Sequence, residues 1–144
     1  MGRPRIVMRP PEARHRAGAG PAGLDRWELS CGDAKAEVYP ARGGLVSRFS
    51  VGSDEVLYCD RERLGQRGQP PLGGAQVLFP VAGPLTEDRY ESGGRSFAMR
   101  PGGLARQAPW EVVDVAGARL VMELRSSEAT RISYPFAFTV RLVV

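Results

Sequence analysis

Few side chains in this sequence are equipped for chemistry, and their spacing restricts what they can do. Cys31 and Cys59 lack the C-x-x-C spacing of a zinc or redox site, and the single histidine, His15, companions neither of them. The two thiols read as free and reduced. Serine or cysteine nucleophiles need a neighbouring base, and one histidine near the start of the chain does not supply it. Asp60 and Glu62 could be paired as acid and base, but Arg61, Arg63 and Arg67 surround them, which reads as a solvated loop of ionised carboxylates. Arg106 follows two glycines and precedes Trp110. Its guanidinium fork suits a carboxylate or phosphate group equally, so it is either ligand-facing or a structural ion-pair partner of Glu111 or Asp114. No catalytic residue, metal site or cofactor is assigned.

A chain of 144 residues must position these groups, which is room for one domain with a real core. Gly (18) and Pro (12) make up about a fifth of it, against a usual share of about 12%, so long helices are not expected. The formal charge is +4, and its location matters more than its size. Residues 1–26 hold six arginines against Glu12 and Asp25, and the remaining 118 residues balance to zero. Residues 1–26, rich in Pro, Gly, Ala and Arg, read as a disordered basic tail, since such a segment cannot offset the entropy of ordering itself. The domain is therefore 27–144, and its neutrality disfavours a nucleic-acid partner. No run approaches a membrane span and the tail lacks the apolar stretch of a secretory signal, so a cytoplasmic location is expected.

From Trp27 the pattern is one of short strands and turns. WELSC and AKAEVYP flank Gly32-Asp33, GGLVSRFSVG is answered by EVLY, and RYES and RSFAM straddle Gly93-Gly94. Residues 60–74 interrupt with charges, glycines and Pro70-Pro71, as functional loops often do. WEVVDV and ARLVMELRS form a further hairpin in which Leu120, Met122 and Leu124 share a face. The last run, YPFAFTVRLVV, aligns Phe136, Phe138, Val140, Leu142 and Val144 on one side. The expected fold class is all-β. An apolar strand of this kind without a covering sheet invites self-association.

Three blocks in this order resemble the N-terminal portion of the aldose 1-epimerase (galactose mutarotase-like) family. Gly73-Gly74-Ala75-Gln76-Val77-Leu78-Phe79-Pro80 is similar to its GGxPxLFP segment, with Gln76 in place of proline. Gly102-Gly103-Leu104-Ala105-Arg106 followed by Trp110 is similar to HGFAR…W. Ser126, Ser127, Thr130 and Tyr134-Pro135-Phe136 resemble its "ss…T…YPF" turn. The resemblance covers about residues 27–144.

It implies an antiparallel β-sandwich, the galactose mutarotase-like supersandwich, with its C-terminal half incomplete and the last strand left without its cover. It also implies an isomerase of carbohydrate metabolism that binds a hexose or hexose phosphate and interconverts its α and β anomers. That reaction needs a general base and a general acid on opposite sides of the hemiacetal. In the family these lie later in the chain, so enzyme activity is left open and the isolated chain is expected to be inactive. The alternative is a non-catalytic carbohydrate-binding or remnant domain of the same fold. A sugar-holding histidine of the family falls at Gly102, and an arginine after the LFP segment falls at Gly83-Pro84. The substrate-binding candidates that remain are Arg106, Phe79 and Gln76. Phe79 and Trp110 could stack on sugar C–H faces, although aromatics in short apolar runs are usually core residues.

Overall fold

The computed structural model describes residues 10–144. The first described element is a strand, Ala13–Ala19, within the segment read as a tail. The first sheet is an antiparallel meander of β1 (Ala13–Ala19), β2 (Asp25–Cys31), β3 (Ala34–Tyr39), β4 (Leu45–Val51) and β5 (Asp54–Glu55), in that spatial order. After it come a short helix α1 (Arg61–Leu64), a separate hairpin of β6 (Arg89–Ser92) and β7 (Arg95–Ala98), strands β8 (Glu111–Ala116) and β9 (Arg119–Arg125), helix α2 (Glu128–Ser133) and β10 (Thr139–Val143). The last three strands form a second sheet in the order β10-β9-β8. The expected antiparallel, short-element class is realised, and the two α-helices among the described residues span only four and six residues.

Period-two alternation builds the core between the two larger sheets. Leu29 of β2 and Val38 of β3 pack with Leu120, Met122 and Leu124 of β9, and Trp110 and Ala105 complete the buried cluster. Val140, Leu142 and Val144, with Phe138 before the strand, lie against that same cluster. This corrects the expectation of an uncovered terminal strand. Most of its apolar face is packed inside the chain, and Phe136 alone of the five stays largely exposed, at 45%. A second cluster joins Leu24, Tyr39, Leu45 and Leu64, pinning α1 to the first sheet.

Residues 1–9 of the expected tail lie outside the described residues, but residues 13–19 contradict it. All seven side chains of β1 are exposed, so no hydrophobic burial holds it. It is held by a full ladder from Ala13–Cys31 to Ala19–Asp25, by His15 Nδ1 donating to Gly117 O at 2.9 Å, and by the His15 ring near Trp27. Hydropathy cannot register a strand whose attachment is main chain. There are two smaller departures. Of EVLY only Glu55 belongs to β5, with Val56 N donating to Phe49 O at 2.8 Å just beyond it, and the Phe136–Phe138 stretch is not strand.

Charged side chains on the strands are compensated within the sheets. Glu28 and Glu37 sit directly opposite each other, an unfavourable like-charge pair, and Arg26 at 2.8 Å from Glu28 and Arg61 at 3.4 Å from Glu37 offset it. On β9 the buried Glu123 accepts from Arg125 at 2.6 Å and from Arg141, its cross-strand partner, at 2.5 Å. These hydrogen bonds, that of Arg125 first, hold its carboxyl below the usual range. Among the described residues no helix is long and apolar enough to cross a membrane.

Candidate functional site

Residues 71–80 and 102–110 run beside each other without forming a regular strand pair. The run AQVLFP contributes two isolated bridges, Ala75 to Val46 and Phe79 to Gly103, because glycines and prolines interrupt its ladder. Phe79 O accepts from Leu104 N at 2.8 Å and from Ala105 N at 3.2 Å. This close approach requires Gly103: a Cβ there would stand 2.1 Å from Phe79 O. The indole of the buried Trp110 donates to Ala105 O at 3.1 Å and ties the other end of the segment to the core.

The structure brings Arg106 and Gln76 together. Arg106 Nε donates to Gln76 Oε1 at 2.7 Å, and the Gln76 amide donates to Gly73 O at 2.9 Å and Pro71 O at 3.2 Å. Arg106 Nη2 also reaches Pro71 O at 3.4 Å. Arg106 therefore has no ion pair with Glu111 or Asp114, and Asp114 pairs with Arg119 instead. Gln76, which stands where the resemblance expects proline, is the receptor for the guanidinium. Arg106 Nη1 has no hydrogen bond among the described residues, so one edge of the fork is uncommitted. Beside it Leu78 is 44% exposed, and both Leu78 and the Arg106 stem approach the position a Gly102 side chain would take, at 3.2 Å each. The result is a small half-buried surface of guanidinium, amide and leucine.

Phe79 lies elsewhere. Val77 and Phe79 pack on the core, opposite in parity to Gln76 and Leu78. The Phe79 ring meets Tyr134 edge-on at 5.6 Å and Phe138 at 5.1 Å. The ring of this group left with an open face is Phe136, T-shaped on Tyr134 at 5.0 Å. Sequence reading placed it inside a terminal strand and so overlooked it. Trp110 is core, Tyr90 donates to Ser133 O at 2.8 Å, and Asp60 caps α1 by accepting from Arg63 N at 3.0 Å. Cys31 and Cys59 are both free, and burial pushes the Cys59 thiol above its ordinary value. Among the described residues no three His, Cys, Asp or Glu side chains converge as a metal site.

No family model matches the chain. Over 99 residues it is 33% identical to a candidate glucose-6-phosphate 1-epimerase of Salmonella typhimurium, an alignment covering 66% of this chain and 31% of that protein. A solved protein of Synechocystis sp. superposes on 98% of this chain and 47% of its own, with a TM-score of 0.75 and 30% identity. This chain is aldose 1-epimerase-like. A galactose mutarotase-like protein of Clostridium acetobutylicum, at 14% identity, shares the fold, with a TM-score of 0.73 over 92% of this chain and 45% of its own. The galactose mutarotase related enzyme of Lactobacillus acidophilus, at 24% identity, covers 82% of this chain and 38% of its own with a TM-score of 0.68. The chain thus has the galactose mutarotase-like antiparallel fold and spans between 31% and 47% of the length of these relatives.

Proposed function

We propose that this aldose 1-epimerase-like chain binds a hexose or hexose phosphate at the surface formed by Arg106, Gln76 and Leu78, in the cytoplasm. The observation that carries this is the Arg106–Gln76 bond of 2.7 Å, which fixes a guanidinium while leaving Nη1 for a ligand. A pre-oriented fork can donate two parallel hydrogen bonds to adjacent sugar hydroxyls or to a phosphate, and little side-chain entropy is lost on binding because the side chain is already held. The Salmonella relative's name, which concerns glucose 6-phosphate, favours the phosphorylated sugar. The Phe79 ring packs on the core with Tyr134 and Phe138 and offers no face to the ligand, so its contribution is the backbone carbonyl that receives Leu104 N and Ala105 N.

Interconversion of α and β anomers is the activity of the whole family-like protein in this reading, while the 144-residue chain binds without accelerating it. Anomerisation needs a base and an acid facing each other across the ring. Gly102 stands at the histidine position of the motif, and His15, on β1, is committed to Gly117 O in the β8–β9 turn. Titration calorimetry with glucose, galactose and glucose 6-phosphate tests the binding, and polarimetry of fresh α-glucose tests the activity. The expected result is binding of a sugar that weakens about tenfold in Arg106→Lys, which keeps the charge and loses the fork. No heat from any of the three at about 10 mM, well above the millimolar range of weak binding, refutes the binding. A clear acceleration of mutarotation by the chain refutes the assignment of chemistry to other residues.

A further inference from the structure

We infer that Arg42 is a positioning residue that builds the Arg106–Gln76 unit from below, an inference that deepens the sugar-binding reading and takes its ligand from it. Arg42 is a charged side chain only 7% exposed, and it forms no ion pair among the described residues. Its Nε is buried without a partner there, and burial lowers its pKa. An interior charge without a counter-ion is unfavourable, and simple packing does not account for it. What the guanidinium does is bond carbonyls: Nη2 donates to Gln69 O at 2.9 Å and lies 3.4 Å from Arg63 O. It thereby ties the loop that follows α1, at Gln69, to the helix itself, at Arg63.

That loop leads directly into the site. Two residues after Gln69 comes Pro71, whose side chain is fully buried and whose carbonyl receives both the Gln76 amide and Arg106 Nη2. The residue after Arg42 grips the opposite side. Gly43 N donates to Ala108 O at 3.1 Å, and a Cβ on Gly43 would stand 2.2 Å from Arg106 O. The short turn Pro40–Arg42 and its glycine therefore seat the backbone of Arg106 while the Arg42 side chain holds the carbonyl frame that receives the Arg106 guanidinium. Both ends of one side chain are referenced to the same turn.

The test reads the Arg106 Nε–H resonance, which reports its bond to Gln76 without any ligand, in the wild type, Arg42→Met and Arg42→Lys. In Arg42→Met the guanidinium is lost but its stem is kept. The expected result is Arg106 Nε–H exchange at least about tenfold faster, because loss of a charge-assisted bond opens the loop locally, while backbone amides of Leu120 and Met122 keep their protection. Arg42→Lys, able to bond one carbonyl, should restore part of the protection, and it serves alone where the methionine variant does not fold. An Arg106 resonance unchanged in both variants, or changed only together with the β9 amides, overturns the inference. Glucose 6-phosphate affinity is measured on the same samples and should fall in Arg42→Met by about the factor seen in Arg106→Lys, with no further loss in the double variant. Additive losses overturn the positioning role. A wild type that binds no sugar while the Arg106 resonance responds to Arg42 supports the positioning and refutes the sugar-binding reading.

Discussion

Replacing Gly103 by alanine probes the contact on which the site is built. Gly103 has a φ of +72°, a region that costs an L residue about 1–2 kcal/mol. The new Cβ would also lie 2.1 Å from Phe79 O, 2.4 Å from its carbonyl carbon and 2.8 Å from Pro80 N, all backbone atoms that no side-chain rotation can move. Relief requires the two segments to separate, which removes the bonds from Leu104 N and Ala105 N to Phe79 O. At about 1 kcal/mol each, and more if the groups stay buried, these bring the loss to about 3–5 kcal/mol. That is a large part of the 5–15 kcal/mol typical of a domain. Gly93→Ala is the matched control: its φ is +58° and nothing lies within 4 Å of the added carbon, so about 1–2 kcal/mol is expected. Urea unfolding followed by tryptophan fluorescence measures both, with Trp110 reporting through its bond to Ala105. Losses equal within about 0.5 kcal/mol would show that the close approach carries no energy and that the conformational term is the whole effect.

Met122→Ala should cost about 2–5 kcal/mol in the same assay, since its side chain is fully buried between the two sheets; a loss below 1 kcal/mol would mean that the sheets do not pack as described. Glu123 gives a pH dependence of definite sign. Its native carboxyl is held down by Arg125 and Arg141, so its stabilisation is present above its ordinary value of about 4.3 and is lost as pH falls through the lower native value. Glu123→Gln should therefore flatten the stability profile below about pH 4.3 relative to the wild type, and parallel profiles would refute the assignment. His15→Ala should lower stability by about 0.5–1.5 kcal/mol through loss of its bond to Gly117, whereas no change in thermal or urea unfolding would show that β1 is held by its ladder alone.

The hairpins were legible because a hairpin is a local object. Gly32-Asp33 and Gly93-Gly94 lie between runs whose alternation sets the register within a few residues, and β2–β3 and β6–β7 form there. The alternation of Leu120, Met122 and Leu124 likewise named the inward face of β9. Strand β1 was not legible, because its side chains bury nothing and its stability resides in main-chain bonds to a neighbour. The terminal run shows the opposite error. Its apolar face was visible, but which surface covers that face is a long-range fact, and the first sheet with Trp110 proved to supply it.

The sequence by itself determined that the chain is built of short antiparallel strands, that Arg106 follows a glycine-rich turn, and that its motifs are ordered as in aldose 1-epimerase-like proteins. Only the tertiary structure decided what Arg106 touches. Its partner Gln76 is 30 residues away, and the carbonyl of Pro71 that both share is held in place through Arg42, in a separate turn. Hydrogen bonds between residues so far apart leave no periodicity in the chain, since each depends on two loops being brought to within about 3 Å by strands packed elsewhere. The same holds for Phe79 and Phe136: both read as large aromatics in apolar runs, and only the packing of Tyr134 and Phe138 places one ring against the core and leaves the other exposed.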